Sequence, residues 1–278
     1  MRELELLAHA KLNLVLRVVG VRPDGYHLLQ SLMVAVDLAD ELHLELVPEG
    51  IELLCEPELG PAEENLAYRA AQLLAGRTRH GVRIVLSKKI PVGAGLGGGS
   101  ADAAATLAGL NLLWQLNLSP AELQGLAAQL GADVPFFLGP SPAWVEGVGE
   151  RVQPAEVELP PAFVLVVPPF GCPTPAVYRA YDRLGLGFAR AGPPPRGATA
   201  WVNDLWPAAV VVRPELVRLR AQVERLTGRR AHLSGSGSAL FVPCGTEEGW
   251  DIRERLQQGV EGQVFVARPV PAGYKVVR

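Results

Sequence analysis

The chain has 278 residues, enough for one large domain or two medium ones with a core that needs no disulfide or metal. Apolar residues at 49% and charged residues at 20% exclude wholesale disorder, and a net charge of −3 without a basic stripe argues against nucleic acid as a partner. Cys55, Cys172 and Cys244 are odd in number and widely spaced, so they form neither a disulfide framework nor a zinc site.

The start lacks a signal-peptide core, and no apolar run approaches the roughly 18 residues of a membrane span. A cytoplasmic protein with no membrane partner is expected, and the sequence leaves its oligomeric state open. Leu12, Leu14 and Leu16 alternate with Asn13, Val15 and Arg17, which predicts a strand with one buried face. Pro23-Asp24-Gly25 predicts a turn. A second alternation, Leu42, Leu44 and Leu46, predicts another strand. Asn65 is placed to cap a helix carrying Leu66, Ala70, Leu73 and Leu74 on its apolar side, with Gly76 as its stop. A β-branched strand follows over 82–86. Next comes a glycine-rich loop, and then a helical pattern to Trp114.

Ser119-Pro120-Ala121-Glu122 is a capping box, and its helix stops at Gly131. Gly139–Pro142 is a breaker cluster. A domain boundary is expected near residue 155, giving domains 1–155 and 156–278. Beyond it the pattern predicts a strand over 163–167 and a long mobile loop over 185–197. An amphipathic helix over 214–226 follows, then strands over 240–242 and 264–267 around a helix near 247–256.

The densest signal is Val92-Gly93-Ala94-Gly95-Leu96-Gly97-Gly98-Gly99-Ser100-Ala101-Asp102, set between a strand and a helix. Glycines let backbone N–H groups come close to a ligand, and the helix N-terminus adds partial positive charge; together they favour phosphate. Gly93-x-Gly95-x-x-Gly98 formally fits a dinucleotide fingerprint, but after Asp102 no acid appears until Glu122, which already sits in a capping box. No Lys-Ser or Lys-Thr follows the last glycine, so the loop is not a Walker A either.

Pro91-x-x-x-Gly95-Leu96-Gly97-Gly98-Gly99-Ser100-Ala101 resembles the ATP-binding motif of the kinases named for galactose, homoserine, mevalonate and phosphomevalonate. Four more blocks narrow the match: Ala10-Lys11-Leu12-Asn13-Leu14, Asp24-Gly25-Tyr26-His27, Leu130-Gly131-Ala132-Asp133-Val134-Pro135, and Ser234-Gly235-Ser236-Gly237-Ser238-Ala239. In this order they resemble the 4-diphosphocytidyl-2-C-methyl-D-erythritol kinases of the non-mevalonate isoprenoid pathway. His9 departs from the proline usual before Ala-Lys. The resemblance implies an α+β, two-domain kinase. Its N-terminal domain would be like ribosomal protein S5 domain 2 and its C-terminal domain ferredoxin-like. The implied reaction moves the γ-phosphoryl of ATP, with Mg²⁺, to the 2-hydroxyl of a small-molecule substrate bearing a cytidine diphosphate group. A mevalonate, homoserine or sugar kinase of the same superfamily is the alternative.

From spacing alone Asp133 is equally a helix N-cap before Val134-Pro135 or a general base; the resemblance implies the base. Lys11 by itself could lay its stem along a sheet edge; the resemblance implies that it pairs with Asp133 and neutralises charge on the phosphoryl group. Tyr26 and His27 by themselves could be a half-buried aromatic pair, and Tyr178 a core aromatic. The resemblance implies that Tyr26, His27 and Tyr178 clamp the cytosine, with Thr174 nearby. Asn13, two residues along from Lys11, shares its strand face and would contact substrate. Gly235, Ser236 and Gly237 are implied to support the phosphate loop. His43, His80 and His232 lack metal-ligand spacing, and no protein metal ligand is assigned.

Overall fold

The computed structural model describes residues 2–194 and 200–278. The chain opens with two long strands, β1 (Glu3–Val21) and β2 (His27–Val47), followed by β3 (Ile51–Glu56), α1 (Leu66–Ala75) and β4 (Gly81–Ser87). Three helices come next, α2 (Gly98–Leu113), α3 (Pro120–Leu130) and α4 (Val134–Leu138), then the hairpin β5 (Ala143–Gly147) and β6 (Arg151–Pro154). The second half runs β7 (Ala162–Val167), α5 (Thr174–Leu184), β8 (Val202–Asn203), α6 (Trp206–Val212), α7 (Glu215–Thr227), β9 (His232–Leu233) and β10 (Leu240–Cys244). It ends with α8 (Thr246–Gly259), β11 (Gln263–Ala267), β12 (Pro269–Val270) and β13 (Tyr274–Val276).

Two sheets result, an α+β architecture. The larger runs β13-β1-β2-β4-β3, with β5, β6, β8 and β12 attached at its sides. The smaller is antiparallel, in the order β11-β7-β10-β9. A cut at residue 155 does not separate the sheets, because β8, β12 and β13 return to β1 and β2.

The alternation in β1 predicts one wet face, but the strand is buried on both faces from Ala8 to Leu16. Three cores meet along it. Leu4, Leu6 and Ala8 join α1 to α4; Leu12 and Leu14 join the β7 and β10 side chains Phe163, Leu165 and Phe241; Leu16 and Val18 join α5 to α8. Lys11 and Asn13 therefore sit in a buried strand, where polar side chains need partners.

Asn65 does cap α1, its Oδ1 accepting the Ala67 N–H at 2.9 Å. The Ser119–Glu122 capping box is present. Gly76 ends α1 in the right-handed region (φ −68°), so the stop there is not a left-handed glycine cap. α2 is buried on nearly every side because it packs on β1 and β2 and is flanked by α1, α3 and α4. Of the loop expected over 185–197, the described part is pinned: Tyr181 donates to Gly187 O, Ala189 N–H to Val18 O, and Gln30 bonds both backbone groups of Gly192. The remainder, 195–197, lies outside the described residues.

Candidate active site

The glycine loop joins β4 to α2 and is stitched on both sides. The Lys11 N–H of β1 donates to Leu96 O at 2.9 Å. On the other side Ala239 N–H donates to Ala94 O at 2.9 Å, and Ser234 Oγ to Gly95 O at 3.0 Å. Gly95 takes φ +79°, and a Cβ there would lie 2.3 Å from the Ser234 carbonyl oxygen. Gly97 takes φ +75°, and a Cβ there would meet Lys11 Cγ and the Phe137 ring at 2.9 Å. The glycines are thus required both by backbone sign and by the space that Lys11 and the Ser234–Ser238 turn occupy. α2 starts directly after this cradle, and its first N–H groups have no intrahelical acceptor.

A cavity lies on each side of the loop, and Gly93, Gly95 and Gly97 to Gly99 line both. One, about 880 Å³, runs from the loop to Leu54, Leu59 and Asn65, with Val92 at its rim. The other, about 730 Å³, holds Lys11, Asn13, Tyr26, His27, Ser100, Asp133, Thr174, Tyr178, Gly235 and Ser236.

Lys11 and Asp133 meet in the second cavity, Nζ to Oδ2 3.4 Å. Asp133 occupies the N-cap position of α4 but makes no capping hydrogen bond, so its carboxylate is turned to Lys11 instead. Lys11 Nζ also donates to Asn13 Oδ1 at 2.5 Å. Asn13 Nδ2 donates to Ser31 Oγ at 2.8 Å, and Ser31 Oγ to Val15 O at 2.7 Å. This chain fixes the ammonium on the β1–β2 scaffold. Thr174 and Ser236 close the opposite wall through their hydroxyls, 2.8 Å apart.

Tyr26 and His27 separate. Tyr26 stands at the mouth of the cavity, 64% exposed, whereas the His27 ring is tucked in. His27 Nε2 pairs with Asp182 Oδ1 at 2.7 Å, and its ring lies 4.7 Å from that of Tyr178 at 31°. Burial, aided by the Asp133 carboxylate, pushes the Tyr178 hydroxyl well above its ordinary pKa, so it stays a neutral donor.

Two expected positions differ. Ala101 is fully buried and its N–H is taken by Gly97 O, so it faces core rather than loop. Gly237 lines neither cavity but backs Gly95, its N and O 3.2 and 3.0 Å from where a Gly95 Cβ would be. The sequence reading also missed Asp40, Lys88, Ser31, Asp182 and Asn203. Lys88 Nζ sits between the carboxylates of Asp40 and Asp102, 2.6 Å from Asp102 Oδ2, beneath the larger cavity. Burial pushes the Asp102 carboxyl up to about 8, with Lys88 opposing and Asp40 adding. Asn203 Nδ2 holds Leu233 O and Gly235 O at 2.9 and 2.8 Å, setting the second loop. Among the described residues no group of three His, Cys, Asp or Glu could hold a metal ion.

A glycine cradle between two cavities, with a Lys–Asp pair beside it, is the layout of a small-molecule phosphotransferase. The family described as GHMP kinases N terminal domain matches residues 65–139. The chain is 43% identical over 272 residues to 4-diphosphocytidyl-2-C-methyl-D-erythritol kinase of Nitrosospira multiformis, covering 96% of this chain and 91% of that one. A crystal structure of 4-(cytidine 5'-diphospho)-2C-methyl-D-erythritol kinase superimposes with TM-score 0.78 at 40% identity, covering 95% of this chain and 99% of the other. Homoserine kinase from Cytophaga hutchinsonii, at 18% identity and TM-score 0.73 over 100% and 98%, shares the fold. The chain belongs to the 4-diphosphocytidyl-2-C-methyl-D-erythritol kinase family.

Proposed function

We propose that the protein transfers the γ-phosphoryl group of ATP to the 2-hydroxyl of 4-diphosphocytidyl-2-C-methyl-D-erythritol. The observation that carries this reading is the Lys11–Asp133 pair, 3.4 Å apart, beside the glycine loop that walls both cavities. ATP occupies the larger cavity, its phosphates on the N–H groups of Gly95 to Ser100 and the start of α2. The cytidyl substrate occupies the smaller one, with its base against Tyr26, His27 and Tyr178 and its erythritol unit near Asn13, Thr174 and Ser236.

Asp133 accepts the hydroxyl proton as the oxygen bonds to γ-phosphorus and the bond from that phosphorus to the bridging oxygen of ADP breaks. Lys11 holds the carboxylate in place and balances charge on the phosphoryl oxygens. The cradle fits phosphates, because Gly93, Gly95 and Gly97 to Gly99 wall both cavities with backbone and α2 begins there with N–H groups that have no intrahelical acceptor. Mg²⁺ bound with the nucleotide would supply further charge neutralisation, and no side chain is assigned to hold it.

Residues 1–155 are read as the ribosomal protein S5 domain 2-like body and 156–278 as the ferredoxin-like one, with β8, β12 and β13 returning to the first. A cytoplasmic location belongs to the same proposal; no helix of the described residues is long and apolar enough to cross a membrane. ADP release with Mg·ATP and diphosphocytidyl-methylerythritol, mevalonate, homoserine or galactose tests the reading. Turnover with the cytidyl compound alone is expected; turnover only with another alcohol would overturn the substrate assignment.

A further inference from the structure

Lys88, Asp40 and Asp102 form a nearly sealed cluster, with side chains 4%, 0% and 2% exposed. One ammonium faces two carboxylates, so full ionisation leaves a buried negative charge. The hydrogen bonds are divided unequally. Asp40 takes Lys88 through Oδ2 and the backbone N–H groups of Lys89 and Ile90 through Oδ1, at 2.5 and 2.8 Å. Asp102 takes Lys88 through Oδ2, while its Oδ1 is buried and has no partner among the described residues. Three donors hold the charge on Asp40, one on Asp102, so the carboxylate that gives way is Asp102.

Asp102 also helps to line the 880 Å³ cavity, one turn into α2 from the phosphate cradle. A carboxylate there would repel nucleotide phosphates through a medium of low polarity. We propose that Asp102 is a neutral carboxylic acid in the nucleotide complex, and that nucleotide binding is coupled to its protonation. The inference rests on reading that cavity as the nucleotide site.

The groups facing Asp102 are Lys88 at the end of β4, Asp40 on β2 and Cys55 on β3. Burial raises the Cys55 thiol above its ordinary pKa, so it adds no charge in the relevant range. Burial first, then Asp40, raises Asp102 against the pull of Lys88, which agrees with the hydrogen-bond division. The sign follows: nucleotide binds the protonated form, so affinity is full below about pH 8 and falls above it, approaching about tenfold per pH unit for one linked proton.

ADP titrated calorimetrically into the full-length protein, in two buffers of different ionisation enthalpy, measures both affinity and proton uptake. The wild type is expected to lose affinity above about pH 8 and to take up close to one proton there. Asp102→Asn, which keeps the shape and carries no titrating carboxyl, is expected to lose the break, its ADP affinity staying level across pH 8 with no proton uptake. A flat wild-type profile without proton uptake, or a break that survives in Asp102→Asn, overturns the inference alone. No ADP binding at any pH overturns the cavity assignment with it. Should Asp102→Asn fail to fold, Asp40→Asn decides: freeing Lys88 for Asp102 is expected to move the break to lower pH, and an unmoved break overturns the proposal.

Discussion

Gly95→Ala tests how the two loops are clasped. Alanine at φ +79° costs roughly 1–2 kcal/mol. Its Cβ would sit 2.3 Å from Ser234 O, a backbone atom that cannot swing away. Ordinary contact begins near 3.4 Å, so the Ser234–Ser238 turn must retreat by about an ångström. That retreat loosens two hydrogen bonds, Ser234 Oγ to Gly95 O and Ala239 N–H to Ala94 O, each worth about 0.5–1.5 kcal/mol. The expected loss is about 2–5 kcal/mol in urea unfolding. A displacement of that size at the phosphates is expected to lower kcat about 100-fold. Two neighbours calibrate the result. A Cβ on Gly93 meets nothing within 4 Å although φ is +72°, so Gly93→Ala should cost only the backbone share, about 1–2 kcal/mol. Gly99 lies in α2 with its nearest contact, Leu66 Cδ1, at an ordinary 3.6 Å, and Gly99→Ala should be tolerated. If Gly95→Ala were no worse than Gly99→Ala in both stability and kcat, the clasp described here would be refuted.

Tyr26→Ala should leave stability unchanged, because the ring is 64% exposed, but weaken substrate binding by about 1–3 kcal/mol, read as KM; an unchanged KM removes Tyr26 from the clamp. Asn65→Ala removes the 2.9 Å cap bond of α1 and should lower unfolding stability by about 1 kcal/mol, while no change would mean the cap is replaced by water. Asp102 has its folded pKa raised from 3.8 to about 8, so the folded chain binds the extra proton and wild-type stability should fall, relative to Asp102→Asn, as pH rises from about 4 to about 8. Parallel stability–pH curves for the two proteins would show that this carboxyl is not perturbed.

What could be read in advance followed the range of the signal. The glycine loop and the caps at Asn65 and Ser119 are local, and each was written in a few adjacent residues. The i, i+2 spacing of Lys11 and Asn13 put them on one face, as the 2.5 Å contact reflects. The Lys11–Asp133 pairing came only through family resemblance, since spacing left Asp133 equally an N-cap. It occupies that position and is nonetheless turned away from it. The burial of both faces of β1 was not legible, because period-two alternation assumes a wet side, and here Val15 on that side packs with the β7–β10 core while Asn13 is tied to Lys11, Ser31 and Ser234. The Asp40–Lys88–Asp102 cluster was missed for a related reason. The β2–β4 register, which pairs Glu41 with Ser87, and the packing of α2 bring residues 40, 88 and 102 together, and no short window contains them. Ser31 reaches Asn13 through the β1–β2 register in the same way.

We read Asp133, held by Lys11, as the group that takes the proton from the acceptor hydroxyl. Steady-state ADP release by Asp133→Asn with Mg·ATP and the cytidyl substrate tests it directly. A kcat lower by about 10²–10⁴ is expected, with KM values for both substrates within a few-fold of wild type. A kcat reduced only a few-fold would contradict it and make Asp133 a positioning residue.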